Sequence, residues 1–306
     1  MQVSSSQIID FLKQKKLYHS DNGIENISTN IASLNDSNSS SISWVSNTFV
    51  DLKDLNSNIL IVPKEFSNNL QDRSVIFTHN PKLAIVLIIN NFFMDFSTKT
   101  YIHPSAQIDE SAKIGNNCII NENVVIGANS VIGDNVTIYP NVTIFNDTII
   151  SNNCVINANC SIGQEGFGYI KDLEEEYIQF PHLGRVIIKE NVEIGANCSI
   201  DRGALSDTII GHSTKIGNHC IITHNVQIGT NCLLPGKVGI SGSATIGNNV
   251  YLGADCGISN CVTIGDNAII GEFAFIRKDV PANKMMVSLS AFEKRDYVKV
   301  MKRLKS

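Results

Sequence analysis

Seven histidines are spread through the 306 residues, and what each could do depends on its neighbours. His224 has the most suggestive setting. It lies in Ile221-Ile222-Thr223-His224-Asn225-Val226; Gly242 stands eighteen residues later, and Asn260, followed by Cys261, another eighteen on. A neutral imidazole, with an ordinary pKa of about 6.5, can take a proton near neutral pH. A backbone N–H bared by glycine can donate to a developing oxyanion. A base and a donor in one place suit acyl transfer to an amine. Such a pairing exists only if eighteen residues make one structural period. The plainer reading is that His224 is a corner residue, as His212 and His219 read.

The period is present. Isoleucine recurs every sixth residue from Ile102 to Ile162, and again from Ile210 to Ile276, with Leu234 and Leu252 in two of the places. Six fits neither the 3.6 of a helix nor the simple alternation of a long strand. It fits short strands joined by corners, each sending one aliphatic side chain inward. Three strands close a triangular coil, so residues eighteen apart stack along the axis, and the chain reads as a β-solenoid. Gly, Asn and Asp crowd the places after the aliphatic residue, as in Ile114-Gly115-Asn116-Asn117, where corners need positive φ. On this reading His224, Gly242 and Asn260/Cys261 form one axial column.

The phase breaks between Ile162 and Ile188, and again around Asp201-Arg202-Gly203-Ala204-Leu205. The first break holds Gln164-Glu165-Gly166-Phe167-Gly168-Tyr169, a polar run, and Phe180-Pro181-His182-Leu183-Gly184. A loop bulging from a rigid scaffold here is either a carrier of function or a tolerated insertion.

Residues 1–100 lack the repeat and read as a small α+β domain. Ser4 to Lys16 predicts an amphipathic helix with Ile8, Ile9 and Leu12 on one face. Strands are expected over Asn58–Pro63 and Arg73–Thr78, and Asn80-Pro81 opens a helix through Phe93. Asn35–Ser41 reads as a mobile Ser/Asn-rich loop. The coil spans 101–285. Within 286–306, Ala291 to Ser306 reads as a basic helix, suited either to packing on the coil end or to an acidic partner.

Composition narrows the classes of function. Hydrophobic residues make up 43% and charged residues 17%, which supports a packed core. A net charge of -5 argues against a general nucleic-acid binder. No run of eighteen apolar residues and no secretory leader is seen, so a cytoplasmic protein is expected. Six of the eight cysteines lie at multiples of six from one another, which marks a repeated core position rather than disulfides or a metal site. No Ser-His-Asp set, phosphate loop or dinucleotide fingerprint appears.

Specific motifs then follow in order: Gly166-Phe167-Gly168-Tyr169, GRVII at 184–188, IDRGAL at 200–205, DTIIG at 207–211, HNVQIG at 224–229 and VGISGS at 238–243. Ahead of them stand NPKLA at 80–84 and IHPSA at 102–106. With these, the chain resembles the UDP-3-O-(3-hydroxyacyl)glucosamine N-acyltransferases of lipid A biosynthesis. The resemblance implies a left-handed parallel β-helix and a homotrimer. It implies transfer of a 3-hydroxyacyl chain from acyl carrier protein to the 2-amine of a UDP-linked, 3-O-acylated glucosamine. No metal or cofactor is implied beyond the phosphopantetheine of the donor, and peripheral membrane contact is compatible but not required. It makes His224 the base and Gly242 the oxyanion donor. It assigns Trp44, Asn47 and Phe49 to the uracil, although Trp44 also reads as a core aromatic. It adds Gly166, Phe167, Gly168, Tyr169 and Asn218 to the substrate site, and Phe273 and Phe275 to the end of the acyl groove.

The family pattern is broken where a Gly-His pair is replaced by Asn260-Cys261, where Ile216-Gly217-Asn218 lacks the usual carboxylate, and at Pro235 and Lys237. Two other readings stand beside this one: an acetyl-CoA-dependent nucleotide-amino-sugar N-acetyltransferase, and a weakly active paralogue.

Overall fold

The computed structural model describes residues 2–46, 56–66, 72–94 and 99–288. Contacts divide the chain into two units, Met1–Phe96 and Ser97–Ser306. The 291–306 segment, expected to be helical, lies outside the described residues.

In the first unit a helix spans Ser5–Gln14. Ser4 caps it by accepting from the Gln7 N–H, while the Gln7 side chain accepts from the Ser4 N–H. Ile8 and Leu12 are buried on one face. A second helix, Pro81–Ile88, starts where the Asn80 side chain accepts from Leu83 N–H, and it runs on into a π-helical turn, Ile89–Phe93. Both helices pack against a five-stranded sheet that includes Ser41–Trp44, Ile59–Pro63 and Ser74–Thr78. The Ser/Asn-rich stretch expected to be a loop runs into the first of these strands at Ser41.

The second unit is the β-solenoid. Three parallel sheets form its sides. The first has ten strands, from Tyr101–Ile102 to Met285–Met286; the second nine, from Gln107–Ile108 to Phe275–Ile276; the third eight, from Lys113–Ile114 to Thr263–Ile264. The chain visits them in that order, and partners in the regular stretches are one period apart, as in Val125↔Thr143 and Ile126↔Ile144. In each two-residue strand the second residue points in; Ile126 is buried and Val125 exposed. From Ile120 onward the residue two before each inward aliphatic of the coil is buried as well, and all seven buried cysteines stand there. Burial pushes the Cys154 thiol up to about 11 and the Cys256 thiol up to about 12.

The corners explain the Gly and Asn. Residues such as Asn117, Asn135 and Asn153 sit at φ 57°, 57° and 59°. Left-handed backbone is strained for most side chains and tolerated by Asn. Their amides stack as a ladder: Asn117 Nδ2 donates to Asn135 Oδ1 at 3.2 Å, and Asn135 Nδ2 to Asn153 Oδ1 at 3.0 Å. Gly133 serves close approach instead; a Cβ there would lie 2.4 Å from Asn152 Oδ1. Among the described residues no helix is long and apolar enough to cross a membrane.

Candidate active site

The phase breaks and the His224 column occupy one edge. The first break joins the second sheet at Gln164 to the third at Val186, and it carries an antiparallel hairpin, Tyr169–Lys171 with Tyr177–Gln179. One coil on, the second break joins Asp201 to Thr208 across the same corner. Then come His224, Gly242 and Asn260/Cys261, each between a second-sheet and a third-sheet strand. Registry quantifies the insertions. Ile149 pairs with Ile187, and Ile187 with Ile209, so these coils run twenty and four residues longer than the others.

His224 is held from behind. Its Nδ1 lies 3.0 Å from Asn225 Oδ1. Asn225 Nδ2 donates to the Ser206 carbonyl at 3.0 Å and to Ser206 Oγ at 2.8 Å, while its Oδ1 also accepts from Ala204 N–H at 3.0 Å. With the amide so oriented, Oδ1 can only accept, so Nδ1 carries the proton and Nε2 is the free base. A Cβ built on Gly242 would lie 2.6 Å from Nε2 and 3.0 Å from Asn260 Oδ1, so the column stacks as its spacing requires.

The Gly242 amide is one of several corner amides left without an acceptor among the described residues. In the comparable corner position Asn116 N–H donates to Asp134 Oδ1 at 2.7 Å and Ala196 N–H to Asn218 Oδ1 at 2.8 Å. Gly242 N–H has no such acceptor among the described residues, nor have His224 and Asn218 N–H, and the Asn260 amide nitrogen donates to Cys261 Sγ. A cleft of about 230 Å³ opens here, lined by Phe167, Thr223, His224, Ser241, Gly242 and Asn260.

Gly166 and Phe167 are thus brought to the base. A Cβ on Gly166 would stand 3.0 Å from His224 Cβ. Phe167 is 81% exposed over the cleft and meets Tyr169 edge-on, with centroids 5.1 Å apart. Gly168 packs on His182 instead. Phe273 and Phe275 lie further along the solenoid, both exposed. The outward places of the second sheet between the base and Phe275 are Gly239 and Gly257, in the register Ile221↔Gly239↔Gly257↔Phe275. The Phe275 ring covers Gly257; a Cβ there would meet it at 2.7 Å.

Asn218 is not brought to this cleft. It stands one corner earlier, with its side chain committed to Ala196 N–H, in a groove with Glu193, Lys215 and Pro235. The reason is arithmetic: six residues before His224 is one side of the triangle, not one coil. Trp44 lies in the first unit, part-buried against its core, and lines a cleft with Ser33, Leu34 and Asn35. Asn47 and Phe49 lie outside the described residues.

Two site residues have no assigned role in the sequence reading. His182 packs edge-on to His224, with centroids 5.3 Å apart. Asp201 is buried, and its carboxylate accepts from Gln164 Nε2 at 3.1 Å. Burial raises the Asp201 pKa above its ordinary value, while the Gln164 hydrogen bond and the facing His224 and His182 imidazoles act to lower it. The phase breaks were the signal for both, since each residue sits in or beside a segment that leaves the coil.

Fold, repeat and corner column together define a hexapeptide-repeat parallel β-helix protein. Comparison with known proteins agrees. Residues 243–278 match the family model described as bacterial transferase hexapeptide (six repeats), and residues 96–167 match that of the GMPPB C-terminal domain. The chain is 45% identical over 82 residues to a UDP-3-O-acylglucosamine N-acyltransferase of Coxiella burnetii, covering 27% of this chain and 24% of that protein. The match therefore spans about a quarter of the length of these curated relatives. Among solved structures, the UDP-N-acetylglucosamine O-acyltransferase of Moraxella catarrhalis superposes with a TM-score of 0.54 at 29% identity, over 65% of this chain and 77% of that one. A UDP-N-acetylglucosamine acyltransferase of Bacteroides fragilis gives 0.54 at 24%, over 66% and 78%. The solenoid matches the left-handed β-helix of these acyltransferases.

Proposed function

We propose that this protein is an acyltransferase acting on a UDP-linked amino sugar, with His224 as general base and Gly242 N–H as oxyanion donor. The observation that carries the reading is the pairing, on adjacent coils, of the His224 imidazole Nε2 with a glycine amide that has no acceptor among the described residues. The substrate amine attacks a thioester carbonyl and a C–N bond forms. His224 Nε2 takes the amine proton, the Gly242 N–H meets the oxyanion, and the C–S bond then breaks with the proton passing to the departing thiolate.

In the finer assignment the acceptor is UDP-3-O-acylglucosamine, as in the name of the curated relatives; the donor, an acyl carrier protein thioester, and the cytoplasmic homotrimer are what the motif resemblance implies. The motifs at 200–205 and 224–229 support it. So does the apolar run beyond the base. Gly239 leaves an outward trough that the Phe275 ring, lying over Gly257, closes two coils from Ile221, roughly 10 Å at the usual strand spacing. A trough of that length suits an acyl chain better than an acetyl group. No metal or redox cofactor enters this chemistry. Trp44, Asn47 and Phe49 are assigned to the uracil, and Phe167 and Tyr169 to the substrate mouth.

The deciding experiment incubates the full chain with UDP-3-O-acylglucosamine or UDP-N-acetylglucosamine and either acyl carrier protein thioesters of mixed length or acetyl-CoA. Product mass is read. N-acylated product from the first acceptor, lost in His224→Ala, is expected. Product only from UDP-N-acetylglucosamine makes the protein an O-acyltransferase like its structural neighbours. Product only from acetyl-CoA makes it an acetyltransferase, and turnover with no donor favours the inactive paralogue.

A further inference from the structure

We infer that His182 is a positioning residue for His224, and that with Asp201 it forms the electronegative backing of the base. The kinetic part of this inference rests on the acyl-transfer reading; its electrostatic part does not.

His182 lies in the inserted loop, two residues before the loop's last glycine, Gly184. It is only 4% exposed. Its Nδ1 is 2.8 Å from the Phe180 carbonyl. A carbonyl only accepts, so Nδ1 holds the proton and Nε2 holds a lone pair. That Nε2 is buried and, among the described residues, has no hydrogen-bond partner. Buried polar atoms are almost always paired, so an orphan beside reactive groups asks for a use.

The surroundings supply one. The Nε2 edge shares a niche with His224: a single Cβ placed on Gly166 would stand 3.0 Å from His182 Nε2 and 3.0 Å from His224 Cβ. Any residue but glycine at 166 would wedge between the rings. Asp201, on the next coil, follows Ile200 as Thr223 follows its register partner Ile222, which sets it beside the strand end that leads into His224. The other charged groups nearby are engaged elsewhere. Glu165 is bonded by Gln179, and Arg202 is held by the Gly184 and Asn146 carbonyls and by Asp147. Apart from the Asn225 amide on Nδ1, what stands beside His224 is therefore one lone pair and one carboxylate. Both stabilise the imidazolium formed when Nε2 takes a proton. The second imidazole thus comes from the inserted loop, while the coil beyond Gly242 offers Asn260 and Cys261.

The test is an NMR titration of the full chain with labelled histidine, the His224 signal being assigned by its loss in His224→Gln. The variants are His182→Leu, which removes the lone pair, His182→Gln, which can restore an acceptor, and Asp201→Asn. We expect His224 to titrate at lower pH in His182→Leu and in Asp201→Asn, and near the wild-type position in His182→Gln. In the kinetic arm the acid limb of the kcat profile moves to lower pH in the Leu variant, with kcat about tenfold lower and KM little changed. Should the Leu variant fail to fold, His182→Asn places no polar atom at the Nε2 position and is read in its stead. An unmoved His224 titration and an unmoved acid limb, whatever the loss of activity, overturn the inference and leave His182 a packing residue. If no donor is turned over, the acyl-transfer reading falls while the titration still decides the role of His182.

Discussion

Asn225 holds the imidazole of the residue before it: its Oδ1 lies 3.0 Å from His224 Nδ1. Neighbours in sequence seldom face each other, and here the corner makes it possible. Asn225 has φ 63°, which turns its side chain back toward His224 and toward Ser206 on the preceding coil. Asn225→Ala removes the acceptor that selects the tautomer. A fall in kcat of about 10–100-fold with KM nearly unchanged is expected from steady-state kinetics. The lost bonds and the alanine in left-handed backbone should lower the unfolding midpoint by about 2–4 °C in calorimetry.

Gly242→Ala tests the stacking directly. Its methyl would lie 2.6 Å from Nε2 of His224, closer than real atoms approach. The ring must swing out of the column, and misplacement of about 1 Å costs roughly 100-fold in rate. Circular dichroism should stay native, because the corner faces solvent on one side and the coil core is untouched. Retained activity would show that the two residues do not cooperate.

Asp201→Asn should separate stability from activity. Burial raises the Asp201 pKa in the folded chain, so folding binds protons there. The ionised carboxylate therefore weakens the fold at pH 7, and that penalty disappears as pH falls through the raised value toward the unfolded one. Asparagine keeps the acceptor for Gln164 without the charge. We expect a midpoint higher by about 2 °C at pH 7, a gain that shrinks toward pH 4, together with reduced turnover. A gain of the same size at both pH values would mean that charge is not its cause.

Phe275→Ala should lengthen the preferred acyl chain. Removing the ring uncovers Gly257 and opens the trough toward the end of the solenoid. Competition among thioesters of graded length, read by product mass, should shift to longer chains by about two to four carbons, given about 1.3 Å of extended chain per carbon against a ring that spans roughly one 4.8 Å coil step. An unchanged profile would place the end of the acyl site elsewhere.

Much of this architecture was legible from the sequence because every coil solves the same packing problem with the same residues. The inward isoleucines fixed the period, and the period alone stacked His224, Gly242 and Asn260. Cys198 shows where such reading weakens. It falls out of step with the other core cysteines only because inserted residues precede it, yet it fills the same buried place. His182 and Asp201 lie in segments that leave the coil, about which periodicity says nothing. Counting sheets rather than residues would have found them. Ile162, Ile200 and Ile222 all belong to the second sheet, so whatever follows each of them must meet at one corner. The same count places Asn218 on the wrong corner for His224, which the family resemblance by itself did not reveal.

The solenoid also sets the grain at which this site can vary. Groups on successive coils are spaced by the rise of a strand pair, about 4.8 Å, and hydrogen-bonded ladders on both flanking sheets prevent anything between. His224 and Gly242 cannot be drawn a few tenths of an ångström closer by sliding the backbone. Tuning must come from exchanging the side chain on a rung or lengthening the loop above it. Reactivity in such a molecule is digital along its axis and continuous only at its edge.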